Sequence, residues 1–116
     1  MKGNQPQADV LPGVVTEYLT AHRERDAATA ITAFTHDATV TDDGKTYTGA
    51  AAIESWLNRS ASEYTYTTVL TGVHSIDASH YTAAHRLEGD FPGGVVDLRY
   101  QFTLRDGRIQ RLVIEP

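Results

Sequence analysis

The chain contains no cysteine, which removes disulfide scaffolds, thiolate metal sites and cysteine nucleophiles together. It is also poor in lysine. Lys2 and Lys45 stand alone beside scattered arginines, ten basic residues face fifteen acidic ones, and the net charge is -5. With no basic patch along the sequence, nucleic acid and membrane surfaces are not expected partners. No apolar run approaches the ~20 residues of a membrane span. The opening Met-Lys-Gly-Asn-Gln-Pro-Gln has no apolar stretch behind its lysine, so it does not read as a secretion signal, and a cytoplasmic protein is expected. A phosphate-binding glycine loop, a dinucleotide fingerprint and a Gly-x-Ser-x-Gly elbow are all missing. What is present is 116 residues, 41% hydrophobic and 22% charged, the composition of one globular domain with a core of its own.

Residues 1–8 are polar and read as a disordered lead-in to a single domain over 9–116. From Asp9, an expected N-cap, the residues Val10, Leu11, Val14, Val15, Tyr18, Leu19 and His22 recur on one helical face. Pro12 falls in the first turn, where a missing N–H removes no helical bond. Asp26 caps a second, shorter helix with Ala27, Ala30, Ile31 and Phe34 as its buried stripe. The period then changes to two in the β-branched stretch Ala38–Asp42. Asp43-Gly44 signals a hairpin into Lys45–Thr48. After Gly49, a third helix over 50–61 turns Ile53, Trp56 and Leu57 inward. Four strands follow, over 63–77, 80–90, 95–104 and 108–115, joined at Ala78-Ser79, Phe91-Pro92-Gly93-Gly94 and Asp106-Gly107. Helices followed by a run of strands predict an α+β fold, with the helices on one face of an antiparallel sheet.

Turn positions set register, and register sets which side chains share a face. Centring the last three turns on the residues just named puts Tyr66, Leu70, His74 and Ile76 on one face with Tyr81, Ala83, His85 and Leu87. Val96, Leu98, Tyr100 and Phe102 join them there. His85 is expected opposite Gly72 and beside Tyr100. The other face collects threonines, Val69, Val73, Ala84 and balanced charges. One conflict arises: unbroken pairing would put Arg111 beside Phe102. Either a bulge near Gln110 restores Leu112 and Ile114 to the apolar face, which is the preferred reading, or Arg111 reaches into a pocket. At the first hairpin, Asp42 pairs with Lys45 and Val40 with Tyr47, so Asp42 lies on the same side as Val40.

The stretches Val14–Tyr18, Phe34–Val40, Thr46–Ile53 and Phe102–Ile109, with Asp26 opening the second helix, resemble the nuclear transport factor 2-like superfamily. That superfamily includes ketosteroid isomerases, SnoaL-type polyketide cyclases and limonene epoxide hydrolases. The resemblance covers about residues 10–115 and implies a cone-shaped α+β barrel, a curved antiparallel sheet wrapped around three N-terminal helices. It also implies roles for individual residues. Tyr18 matches the tyrosine by which ketosteroid isomerases hold an enolate oxygen, and Asp42 matches their general base. The late-strand acid of those enzymes falls near Tyr100, or Leu98 if the loop differs, and neither is an acid.

The residues themselves leave two readings for each candidate. Asp42 is a base inside an apolar cone, or a turn residue paired with Lys45. Tyr18 is an oxyanion donor or a core tyrosine, and His85 is a proton shuttle or a buried, satisfied histidine. Trp56 lines the pocket or plugs it. No spacing supports a metal site, and His22, His36 and His80 read as surface residues near element ends. The expectation is a pocket for a small apolar or aromatic molecule. Asp42, Tyr18, His85 and Tyr100 would carry any chemistry, and Trp56, Tyr66, His74, Leu98 and Phe102 would line the site. That chemistry would be proton abstraction next to a carbonyl, leading to isomerisation or cyclisation without a cofactor. The alternative is a non-catalytic binding or regulatory module. The mixed outer sheet face, with Val69, Val73, Ala84 and Val95, predicts a homodimer.

Overall fold

In a computed structural model of the chain, residues 11–63 and 65–116 are described, apart from the side chains of 60–63. The expected lead-in over 1–8 and the positions of Asp9 and Val10 lie outside the described residues. The elements are α1 (Gly13–Arg23), α2 (Ala27–Ile31), β1 (Phe34–Asp42), β2 (Lys45–Thr48), α3 (Ala50–Glu63), β3 (Tyr66–Asp77), β4 (His80–Gly89), β5 (Val95–Arg105) and β6 (Arg108–Glu115). The fold is α+β. One curved, unclosed six-stranded sheet runs in the order β2-β1-β6-β5-β4-β3, so β2 and β3 form its edges.

Local chemistry explains most of these boundaries. Pro12 sits at the N-cap of α1, outside the helical hydrogen bonds its ring could not make. Asp26 caps α2 by accepting from the Thr29 N–H at 3.2 Å. Both Asp-Gly pairs form tight hairpins with positive φ at each residue, 55° and 77° at Asp43-Gly44 and 53° and 78° at Asp106-Gly107. These are the mirror-image turns whose twist matches that of the flanking strands. The first hairpin keeps its expected register, Asp42 opposite Lys45 and Val40 opposite Tyr47.

Two bulges decide what faces inward. Leu104 pairs with Ile109 and Thr103 with Arg111, so Gln110 is the extra residue. Leu112 and Ile114 return to the inner face beside Phe102 and Tyr100, and Arg111 is exposed opposite Thr103. The second bulge, at Thr71, corrects an expectation. Leu70 pairs with His85 but Gly72 pairs with Ala84. From there to Ser75 the face assignments invert: Val73 turns in against the core and His74 turns out and is exposed, while Ile76, the extra residue of a further shift between Ser75 and Asp77, is exposed as well. Between β4 and β5, His85 pairs with Leu98 and Leu87 with Val96, two residues from the expected register. An even shift keeps the faces unchanged.

Other features also differ from expectation. β1 begins at Phe34, which pairs with Ile109 and does not extend the stripe of α2. α3 runs to Glu63, two residues past its expected end. The sheet is not wholly antiparallel, because β6 lies parallel to β1. The four-strand meander ends pointing the same way as β1, and the α3 crossover supplies the reversal that a parallel neighbour needs. The core between helices and sheet is built on Val15, Tyr18, Val40, Ile53, Phe102, Ile109 and Leu112, all essentially inaccessible to solvent. Each such burial stabilises the fold by roughly 1.5–3 kcal/mol.

Candidate functional site

α1 carries Tyr18 and His22 one turn apart on its inner face. Tyr18 is fully buried, with its ring edge-on to Phe34 at 5.3 Å and Phe102 at 5.9 Å. Its hydroxyl bonds His22 Nδ1 at 2.7 Å. The His22 ring packs edge-on against Trp56 from α3 at 5.6 Å and Tyr100 from β5 at 6.3 Å. Tyr100 in turn meets His85 from β4 at 4.8 Å. Thus α1, α3, β4 and β5 each supply one or more rings to a single aromatic–imidazole cluster.

Asp42 closes the cluster from the end of β1. Its Oδ2 accepts the Trp56 Nε1–H at 3.0 Å, and Trp56 is 2% exposed. The carboxylate therefore turns toward the interior and not along the hairpin. Tyr47, which shares the face of Val40, stacks on Trp56 at 6.2 Å and carries the Arg59 guanidinium 5.3 Å above its ring.

Of the residues expected at the site, Asp42, Tyr18, Trp56, His85, Tyr100, Tyr66, Leu98 and Phe102 lie on the inner side. Phe102 is core packing under Tyr18, and Leu98 is half-buried opposite His85. Tyr66 lies half-buried on the edge strand, its ring 6.4 Å from Phe91. His74 is not among them, because the Thr71 bulge puts it on the outer face. The expectation that Gly72 stands opposite His85 is corrected by the same bulge, which puts Leu70 there. His22, expected at the surface, is instead central. Its position four residues after Tyr18 on the apolar lattice was the signal for it.

Burial shifts the phenols of Tyr18, Tyr66 and Tyr100 and the imidazoles of His22 and His85 toward their neutral forms. Burial pulls the His22 imidazole down to about 4, with His85 adding to the effect. Burial lowers His85 too, opposed by the Ala83 backbone and reinforced by Arg23. Burial raises Tyr18 well above the ordinary phenol range, with Tyr100, Asp42 and Tyr66 pushing the same way. Tyr100 is raised by burial, then by Tyr66 and Asp42. Tyr66 is raised by burial, with Arg25 opposing and Asp42 assisting. Asp42 acts on all three phenols, as a charge sharing their low-dielectric interior must.

A cleft opens onto the cluster between α1 and the β3–β5 end of the sheet. It has a cavity volume of about 20 Å³ and is lined by Leu19, His22 and Arg23 on one side and Tyr66, His85 and Tyr100 on the other. That is room for about one water molecule. His85 is 7% exposed, and its Nδ1 is a buried polar atom with no hydrogen-bond partner among the described residues.

Neither a protein-family model nor a curated protein matches the sequence. Solved structures do. A candidate polyketide cyclase from Sinorhizobium meliloti is 32% identical with a TM-score of 0.87, the match covering 94% of this chain and 99% of that one. A protein of ketosteroid isomerase-like fold from Catenulispora acidiphila, solved in complex with trimethylamine, is 21% identical with a TM-score of 0.79, covering 90% and 85%. A candidate polyketide cyclase from Xanthomonas campestris is 23% identical with a TM-score of 0.75, covering 88% and 86%. With the helix order, the curved sheet and the inner cluster in place, the chain belongs to the nuclear transport factor 2-like superfamily.

Proposed function

We propose that the protein binds a small apolar or aromatic carbonyl compound against the aromatic–imidazole cluster onto which the cleft opens and abstracts a proton next to the carbonyl, using no cofactor. The observation that carries this reading is Asp42, an acceptor held on the Trp56 Nε1–H inside an interior of neutral phenols and imidazoles. Asp42 takes the α-proton, and the electron pair moves onto the carbonyl oxygen. Tyr100 donates to that oxygen as its charge develops. The carboxylic acid then returns the proton to another carbon, completing an isomerisation. Alternatively, the enolate carbon attacks a second carbonyl of the same molecule and the new alkoxide takes the proton, completing an aldol-type ring closure. Tyr18, whose hydroxyl is bonded to His22, is assigned to positioning that imidazole. The cyclase names among the similar structures support the same class of chemistry.

The water-sized cleft favours a second reading, a binding or regulatory module without turnover. In either case we propose a homodimer through the outer sheet face, where Val69 and Val95 are 59% and 52% exposed. Val73 is not on that face. The discriminating experiment is deuterium exchange into 2-tetralone in D2O, followed by proton NMR. The proposal expects exchange above the buffer rate that Asp42→Asn abolishes. Equal rates in the two proteins would leave the non-catalytic reading.

A further inference from the structure

The cleft has a sharply one-sided polar lining. His22, Arg23, Tyr66, Thr68, His85 and Tyr100 bring hydroxyls, imidazoles and one guanidinium to it, and no carboxylate lines it among the described residues. The nearby carboxylate, Asp42, accepts from Trp56. Arg23 is exposed and stands at the mouth on the last turn of α1, with Leu19 one turn before it. At the inner end, His85 is more than nine-tenths buried, and its Nδ1 has no hydrogen-bond partner among the described residues. A buried polar atom without a partner is a standing penalty that a ligand atom or a water removes. The Arg23 guanidinium at the mouth and the His85 ring nitrogen inside make opposite ends of a short path sized for a single polar group.

We infer that this cleft is a receptor for an acidic group, and that the protein's small-molecule ligand carries a carboxylate on an apolar or aromatic body. The inference deepens the function proposed above and rests on the same cleft. One carboxylate oxygen reaches His85 Nδ1, and Arg23 folds over the second. The apolar body lies outward over Leu19 and Tyr66, whose ring already packs on Phe91. A neutral amide has one acceptor oxygen in place of two and no charge for Arg23. A cation meets only donors and Arg23. The carboxylate also favours protonation of the facing imidazole, so binding draws a proton from solvent as pH falls toward 6. The charged and titratable groups lining the cleft with His85 are His22 and Arg23 from α1, Tyr66 from β3 and Tyr100 from β5, with Arg25 acting on Tyr66, and Asp42 on Tyr66 and Tyr100, from outside the lining. None of the groups lining the cleft opposes that protonation with a carboxylate of its own.

The test is a titration of the full chain with benzoate, benzamide and trimethylamine, followed by the fluorescence of the single tryptophan and by histidine ring NMR. Benzoate is expected to bind at least about tenfold more tightly than benzamide, with trimethylamine weaker still, as charge-assisted pairing requires. Its affinity rises between pH 8 and pH 6. His85→Gln, which keeps a donor, retains part of the discrimination. His85→Phe abolishes it, and Arg23→Gln weakens benzoate without affecting benzamide. Equal affinity for benzoate and benzamide, or unchanged discrimination in His85→Phe with its circular dichroism intact, overturns the inference. Asp42→Asn keeps benzoate binding while it removes deuterium exchange. Loss of exchange activity alone therefore counts against the proposed chemistry, and loss of acid discrimination alone counts against the receptor.

Discussion

His22 makes the stability of the fold depend on pH in a way that can be worked through. The free imidazole titrates near 6.5, and burial holds it down to about 4 in the folded chain. A histidine with a depressed folded value binds its proton more readily in the unfolded chain. Its contribution is therefore fully present above pH 6.5 and is lost as pH falls toward 4. The gap corresponds to about 3 kcal/mol at ~1.4 kcal/mol per pH unit. Integrated, about 2 kcal/mol is lost by pH 5 and most of the remainder by pH 4. The perturbation is His22→Asn, whose side-chain oxygen can still meet the Tyr18 hydroxyl but carries no titrating group. Urea unfolding of wild type and variant at pH 7, 5 and 4 isolates the difference, since carboxylates and His85 titrate in both. Wild type is expected to lose roughly 2–3 kcal/mol more than the variant between pH 7 and pH 4. Parallel pH dependences would refute the buried, neutral imidazole.

Three further outcomes are expected. Tyr18→Phe leaves His22 Nδ1 without its partner and destabilises the fold by about 1–3 kcal/mol in the same urea assay. Deleting Gln110 removes the β6 bulge but keeps Leu112 opposite Phe102 and Ile114 opposite Tyr100, so cooperative thermal unfolding persists in circular dichroism, and its loss would refute this register. Val69→Lys on the outer face converts the proposed dimer to monomer in sedimentation velocity, and a wild-type protein already monomeric at micromolar concentration would count against that interface.

The fold was legible where local chemistry leaves few options. Asp43-Gly44 and Asp106-Gly107 announce their turns because two successive positive φ values exclude most other pairs. The Gln110 bulge was readable because Arg111 would otherwise face Phe102, a conflict one extra residue removes. The Thr71 bulge left no such mark. Thr71, Gly72, Val73 and His74 alternate acceptably in either register, so His74 was placed on the wrong face. The parallel pairing of β1 with β6 depends on how the whole meander closes, which no short segment records. At the site, Asp42 and Tyr18 were assigned to the interior from periodicity, and the structure places both there. His22 was missed because a histidine at a helix end ordinarily stays in water. Its burial comes from Trp56 and Tyr100, which arrive from distant elements, and from the need of a buried tyrosine hydroxyl for a partner.

The account turns on the Asp42 carboxylate being held inside the fold by Trp56, and the chain has a single tryptophan to report on it. The indole N–H resonance in a proton–nitrogen NMR spectrum is the direct measurement. The account predicts one downfield indole signal, protected from exchange with solvent, that moves when Asp42→Asn replaces the charged acceptor by a neutral one. An indole signal that exchanges freely with water and keeps its position in Asp42→Asn would contradict it.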